Sequence, residues 1–353
     1  MVGGVCGAWL YQFFIGFHLV NAETVASSPL QSVTSDEASG KIHCTVQSTT
    51  VEHSPISDEK IVPGSVPGKN RPKRANGILD AVGESPTKDT SDYVEYLRPR
   101  FQLKNDLYRC VLCEFFCTAL LLFGGTATNA RHTLMNSNRW IDISFGWGFS
   151  LFYAVLVGFK ISGSHLNPAV SLNVYTAGKI SFMRFLLYSI AQILGGYFGS
   201  LLTFLMYIDY FLDDRSMANA GIFSTYPRAY LSVIGGVVDQ VIGTAFLCFI
   251  LGGITDPHNW IPSYLQPLLI GILVLLIGTA IGINSGYAIN PARDLGPRLF
   301  TLSAGWGAET FTYRGGMWFW VPVVCPLIGG LLGAWMYTVF IGLQIHSKRH
   351  ENS

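Results

Sequence analysis

Two phrases in this chain copy each other: "SGSHLNPAV" at 162–170 and "SGYAINPAR" at 285–293, each after a long apolar run. The likeness extends outward. "EFFCTALL" at 114–121 returns as "QVIGTAFL" at 240–247, so the stretch 110–176 is loosely repeated over 236–300. From 106 onward the apolar runs predict six spans, at roughly 108–128, 142–160, 183–207, 233–254, 265–283 and 317–341, each near the length that crosses about 30 Å of hydrocarbon. Three spans per copy is an odd number, so the two copies traverse the bilayer in opposite senses. That is the inverted-repeat plan of many transporters. The expected fold is an all-α membrane protein with six transmembrane helices and two re-entrant half-helices.

Composition agrees with this plan. Half of the 353 residues are hydrophobic and only 13% are charged, where a soluble protein carries about a quarter. The net charge of +1 points to no nucleic-acid partner. Cys110, Cys113 and Cys117 fall at helical spacing, with no further Cys or His nearby to complete a metal site, so they read as packing residues. Gly195 with Gly199, and Gly329 with Gly333, are small residues four apart that let helix backbones approach closely. Residues 23–105 are rich in Ser, Thr, Pro and charge, and are expected to be mostly disordered. The first 22 residues are apolar and signal-like but lack a basic n-region. Basic residues gather just before the first span, among them Arg98, Arg100, Lys104 and Arg109, and Lys348 and Arg349 follow the last one. Both termini are therefore expected on the cytoplasmic side. The expected organisation is a tail at 1–105, a membrane domain at 106–345 and a short tail at 346–353.

Each Asn-Pro-Ala triplet has a local physical reading. Pro168 and Pro291 suit the first turn of a helix, where their missing N–H costs nothing. Asn167 and Asn290 precede them as N-caps, and Ala169 and Ala292 continue the turn. The segments 168–176 and 291–300 are too short to span. Each is expected to dip in from one face and present its positive N-terminal end at mid-membrane. The stretches before them, Gly163, Ser164, His165 and Leu166 in one copy and Gly286 through Ala288 to Ile289 in the other, are expected to be extended. Irregular backbone survives at that depth only where it lines an aqueous cavity, so their carbonyls would form a ladder of acceptors.

Over about residues 105–345 the chain resembles the aquaporin (major intrinsic protein) family. Within it the chain is similar to the aquaglyceroporin branch: "NPARDLGPR" carries Asp294 directly after Arg293, and "FSTYP" at 223–227, with Tyr226, and "WVPVV" at 320–324 fit the same branch. The resemblance implies an outer constriction at Trp147 on the second span, Gly278 on the fifth, and Tyr287 and Arg293 on the second re-entrant loop. Water-selective members have His at the position of Gly278. The opening is therefore expected to be wider and amphipathic, with Trp147 and Tyr287 as an apolar wall and Arg293 as a fork of donors. Asp294 and Arg298, four apart, are expected to pair with each other rather than with solute. His165 is assigned to backbone shaping. The family usually has a Glu in the first and fourth spans that holds a re-entrant loop. Glu114 fits, but the second copy has Gln240, so the loop at Asn290 is expected to be held less firmly.

These features together imply a passive channel for glycerol, water and other small neutral solutes that excludes ions and protons. It needs no cofactor. The resemblance also implies a homotetramer with one pore per subunit, and the plasma membrane is the expected location. Three other readings fit less well. A strict water pore would differ at Gly278 and Asp294. A coupled transporter needs titratable groups at mid-depth, for which only Glu114 and Asp239 are available. An enzyme needs a nucleophile, base or metal cluster, and the eight His are scattered.

Overall fold

Polar residues at the edges of the apolar runs start several of the helices. Asn105 accepts from the N–H groups of Leu107 (2.9 Å) and Tyr108 (3.3 Å) and opens helix α1, Asp106–Leu134. Such a cap satisfies donors that have no partner inside the helix. Helix α2, Trp140–Ser162, and half-helix α3, Pro168–Thr176, follow. Ser181 caps α4, Phe182–Met206, and Ser232 caps α5, Val233–Thr255. Helix α6, Gln266–Ile281, half-helix α7, Pro291–Thr301, and helix α8, Val321–Phe340, come next. The computed structural model describes residues 88–345, and no strand occurs among them.

Helices α1, α2, α4, α5 and α8 are long and apolar enough to cross a membrane. Helix α6 has only 16 residues, roughly 24 Å of rise, but turns continue it to Ser285, and Gly286 N still donates to Gly282 O at 2.9 Å. The six expected spans are all helical, with two ends displaced. The sixth starts at Val321 rather than near 317, because Arg314, Gly315 and Gly316 take φ of 53°, 69° and 77° and turn the chain. The first runs on to Leu134, since a helix end beyond the apolar layer has no need of apolar residues. The half-helices, with 9 and 11 residues, rise about 14 and 17 Å and cannot span.

The tail departs from expectation at one point. Lys88–Phe101 is a helix rather than disordered chain. Glu95 pairs with Arg98 at 3.0 Å and the Arg100 guanidinium lies 4.3 Å from the centre of the Tyr96 ring, the i,i+3 and i,i+4 contacts that hold a helix without a core. The expectations for 1–87 and 346–353, including the signal-like segment, lie outside the described residues.

The repeat is visible in how the helices pack. Helix α1 packs on α4 as α5 packs on α8, and α1 meets α2 as α5 meets α6. The half-helices are exchanged: α3 packs against α8 of the other copy, and α7 against α4. Glycines make both contacts possible. A Cβ on Gly195 would run into Phe115 O, and one on Gly329 would run into Val241 O, the matching residue of the second copy. Gly199 and Gly333 do the same against Ala119 O and Ala245 O. One position after the first of each pair, Gly196 and Gly330 leave room for the backbone of Ala292 and Ala169, the last residues of the two triplets. Close packing of backbones holds helices together where lipid supplies no hydrophobic drive between them. Replacing Gly333 with Leu is expected to overpack α5 against α8 by about 1–3 kcal/mol, seen as a lower midpoint of thermal unfolding in detergent, while Gly221→Ala, whose nearest neighbour would be 3.7 Å away, leaves the midpoint unchanged.

Candidate functional site

The site begins at the two N-caps. Asn167 Oδ1 accepts from Ala169 N at 2.9 Å, and Asn290 Oδ1 accepts from Ala292 N at 2.9 Å and Arg293 N at 3.3 Å. This fixes each carboxamide and aims its nitrogen away from its own helix. Asn167 Nδ2 then donates to Ile289 O at 3.0 Å, and Asn290 Nδ2 to Leu166 O at 2.8 Å. Each loop is thus tied to the asparagine of the other, and the two half-helices meet head to head. An amide nitrogen carries two hydrogens; one closes this tie and the other is left over.

Both asparagines line a single cavity of about 560 Å³. Leu121, Leu151, Val155, Leu247 and Val274 give it an apolar wall, and the two re-entrant loops give it a polar one. The loops are not extended as expected. Gly163, Ser164 and Leu166 have φ of 83°, 49° and 54°, and Gly286, Tyr287 and Ile289 have 82°, 39° and 41°. The positive values fall at matching positions in the two copies. Such φ at non-glycine residues persists only where the surroundings over-determine it, and here they do. The Glu114 carboxylate accepts from Ser162 Oγ (2.6 Å), His165 N (2.9 Å), Leu166 N (2.8 Å) and Gln192 Nε2 (2.8 Å). His165 is further held by Ser171 Oγ at 3.1 Å and by an edge contact with Tyr188. In the second copy Gln240 Oε1 accepts from Ile289 N at 2.9 Å, the counterpart of the Leu166 contact. The expected loosening at Gln240 is therefore not seen at this bond, because a neutral amide oxygen serves a backbone N–H as acceptor too.

At one end of the cavity stand Trp147, Tyr287 and Arg293. Arg293 donates through Nη1 to Phe223 O at 2.9 Å, and its guanidinium carbon lies 4.3 Å from the centre of the Trp147 ring, a cation–π contact. Gly278 does not line the cavity. A Cβ there would sit 2.9 Å from Cζ and Oη of Tyr287, so the glycine makes room for the tyrosine ring rather than simply widening the opening. Trp140 Nε1 donates to Gly278 O at 2.8 Å, so that carbonyl is occupied.

Asp294 and Arg298 form the expected ion pair, at 2.7 Å and fully buried, and neither lines the cavity. Their work is on a loop. Asp294 Oδ2 accepts from Thr225 N at 2.8 Å and from the Thr225 hydroxyl, while Arg298 donates to Thr225 O at 2.8 Å and Thr310 O at 2.5 Å. Trp318 Nε1 also donates to Thr225 O, at 2.8 Å, and the Tyr226 ring lies under the Arg298 guanidinium at 4.8 Å. The segment so clamped carries Phe223 O, the acceptor that holds Arg293. Asn129 supports the other side, accepting from Trp147 Nε1 at 3.1 Å and donating to Ile222 O at 2.9 Å. Asn129 and Trp318 were not among the expected site residues, and Thr225 entered only within the phrase "FSTYP"; for Asn129 the sequence signal was a lone Asn in the last turns of a largely apolar helix.

The chain matches the Major intrinsic protein family over residues 102–337. It belongs to that family. It is 40% identical over 264 residues to aquaporin-9 of Mus musculus, covering 72% of this chain and 88% of that protein, and 38% identical over 266 residues to aquaporin-2 of Milnesium tardigradum, covering 72% and 81%. Among solved structures it is similar to the aquaglyceroporin from Plasmodium falciparum, with a TM-score of 0.63 and 31% identity over 67% of this chain and 98% of that one. The fold of this major intrinsic protein is thus the aquaporin fold. Removing one partner of a buried ion pair strands the other, at about 3–5 kcal/mol. Asp294→Ala is therefore expected to lower the thermal midpoint and the yield of folded protein far more than Asp142→Ala, whose carboxylate is part-exposed and lies 3.8 Å from Arg131.

Proposed function

We propose that this aquaporin-family protein is a passive channel for glycerol, water and other small neutral solutes, one pore per subunit of a homotetramer, in the plasma membrane with both termini in the cytoplasm. The observation that carries the reading is the pair of crossed asparagines, each with an N–H left over, on a cavity that ends at one guanidinium and two aromatic rings. A polyol has a carbon edge and a hydroxyl edge. At the ring, Trp147 and Tyr287 take the first and the remaining Arg293 donors take the second. Further in, the leucine and valine wall faces the carbons, and the loop carbonyls accept from hydroxyls as the solute moves past them. At the centre the spare N–H groups of Asn167 and Asn290 donate to the passing oxygen.

The same centre opposes cations. Two helix N-termini meet there, and each contributes positive potential from its unsatisfied N–H end. A dehydrated cation meets both at once, without the carboxylate ring that cation channels use. The field also turns each water oxygen toward the asparagines, which interrupts proton hopping along a file of water. The glycerol branch of the reading rests on the room that Gly278 gives Tyr287, on the Asp294 clamp, and on similarity to a protein described as an aquaglyceroporin. No step consumes energy, so flux follows the solute gradient alone.

Vesicles containing the full chain are expected to swell in iso-osmotic glycerol at the same rate with and without a proton gradient. Dependence on the gradient would indicate a coupled transporter, and water flux without glycerol flux a narrow pore. Gly278→His pushes Tyr287 into the ring, and is expected to reduce glycerol permeability roughly tenfold or more while leaving most of the water permeability, both measured by stopped-flow light scattering.

A further inference from the structure

The serine that opens each re-entrant loop occupies the same place in the two copies: Ser162 and Ser285 each precede a glycine of positive φ. Ser162 donates to the Glu114 carboxylate at 2.6 Å. Ser285 also donates to a carboxylate, at 2.5 Å, but the acceptor is Asp239, one residue before Gln240. The Asp239 carboxylate takes two further donors, Asn284 Nδ2 at 3.0 Å and Gln240 Nε2 at 3.2 Å. Gln240 Nε2 donates to Ser285 Oγ as well, at 2.7 Å. Asn284 then carries the tie outward: its Oδ1 accepts from Tyr230 Oη at 2.9 Å and its backbone O from Arg228 N at 3.0 Å.

We infer that Asp239 is a positioning residue for the filter tyrosine: it supplies the carboxylate that the second copy lacks at Gln240, and holds the turn that aims Tyr287. The inference rests on the channel reading given above. Two of the contacts that Glu114 makes alone in the first copy, with Ser162 and with Leu166 N, are divided between two residues in the second. Gln240 takes the backbone N–H of Ile289, next to the central Asn290, and Asp239 takes Ser285 and Asn284, next to Gly286 and Tyr287. One residue along a helix is a rotation of about 100°, so the two side chains leave α5 in different directions. Asp239 lines a shallow groove with Val238, Ile242, Ala280, Ile281 and Ile283, and not the main cavity. A carboxylate beside such apolar neighbours within a span is costly unless its lone pairs are met; here three donors converge on it.

Division of labour makes the inference testable. Disturbing Asp239 displaces the ring and spares the centre, whereas a general loss of folding lowers glycerol and water flux together. The full chain is reconstituted in vesicles, and glycerol, water and proton permeabilities are measured per channel against the amount of inserted protein. Asp239→Asn is expected to lower the ratio of glycerol to water permeability roughly threefold or more, the order of one ordinary net hydrogen bond, with proton exclusion unchanged. The double variant Asp239→Asn with Gln240→Glu returns the carboxylate to the position of Glu114 and is expected to recover most of the ratio. Ser285→Ala removes the partner instead and is expected to shift the ratio the same way, even where Asp239→Asn inserts poorly. An unchanged ratio in Asp239→Asn and in Ser285→Ala, beside a wild type that passes glycerol, overturns the inference. A wild type that passes no glycerol overturns the reading as a glycerol channel, before any variant is compared.

Discussion

The structure depends on one reciprocal contact: each asparagine amide at the start of a half-helix donates to the last carbonyl of the opposite loop. Backbone that leaves helical geometry inside a bilayer has groups that lipid cannot satisfy. The fold meets this need by making each copy the partner of the other. Asn167 serves Ile289 and Asn290 serves Leu166, and neither loop is complete alone. The exchange of half-helices, α3 onto α8 and α7 onto α4, brings the two ends together, and Gly196 and Gly330 let them approach. Satisfaction of backbone polarity and construction of a polar path are here one event, because the hydrogen left over on each amide is the one available to a solute.

Around this centre the buried carboxylates are met by donors. Glu114 has four donors. Asp294 and Arg298 neutralise each other and between them hold both the N–H and the C=O of Thr225. Arg293 keeps its position through Phe223 O and the Trp147 face, so its other donors stay free toward the cavity. Asp294 and Arg298, which do not line the cavity, thus act on the site indirectly, by fixing the loop whose Phe223 carbonyl holds the Arg293 guanidinium. In the second copy the counterparts of two of the Glu114 contacts fall on different residues, Ile289 N on the Gln240 amide and Ser285 on the Asp239 carboxylate.

Much of this was legible in the sequence where the physics is local. A proline after an asparagine specifies a capped helix start, and an apolar run of about twenty residues specifies a span. The repeat then fixed how the copies relate. The pair at Asp294 and Arg298 was legible too, because four residues make one helical turn. What escaped was set by contacts distant in the chain. Asn129 reaches Ile222 and Trp318 reaches Thr225, each more than 90 residues away, and no period in the sequence signals either. The left-handed φ at Ser164, Leu166, Tyr287 and Ile289 was also hidden, since none of these residues favours it and only the surrounding hydrogen bonds impose it. Gly278 was read as a missing side chain that leaves space; the space is taken by Tyr287, which only the packing reveals. At 88–101 composition alone suggested disorder, and side-chain pairs at helical spacing decided otherwise.

A structure of the full chain determined in glycerol decides whether the two crossed amides each keep one donor for the solute. A line of glycerol density is expected from the Arg293, Trp147 and Tyr287 ring to the centre, with a hydroxyl oxygen about 3 Å from the Nδ2 atoms of Asn167 and Asn290 while both remain bonded to the opposite loop. Density that bypasses the pair, or amides turned so that neither nitrogen faces the cavity, would show that the spare donors do not serve the solute.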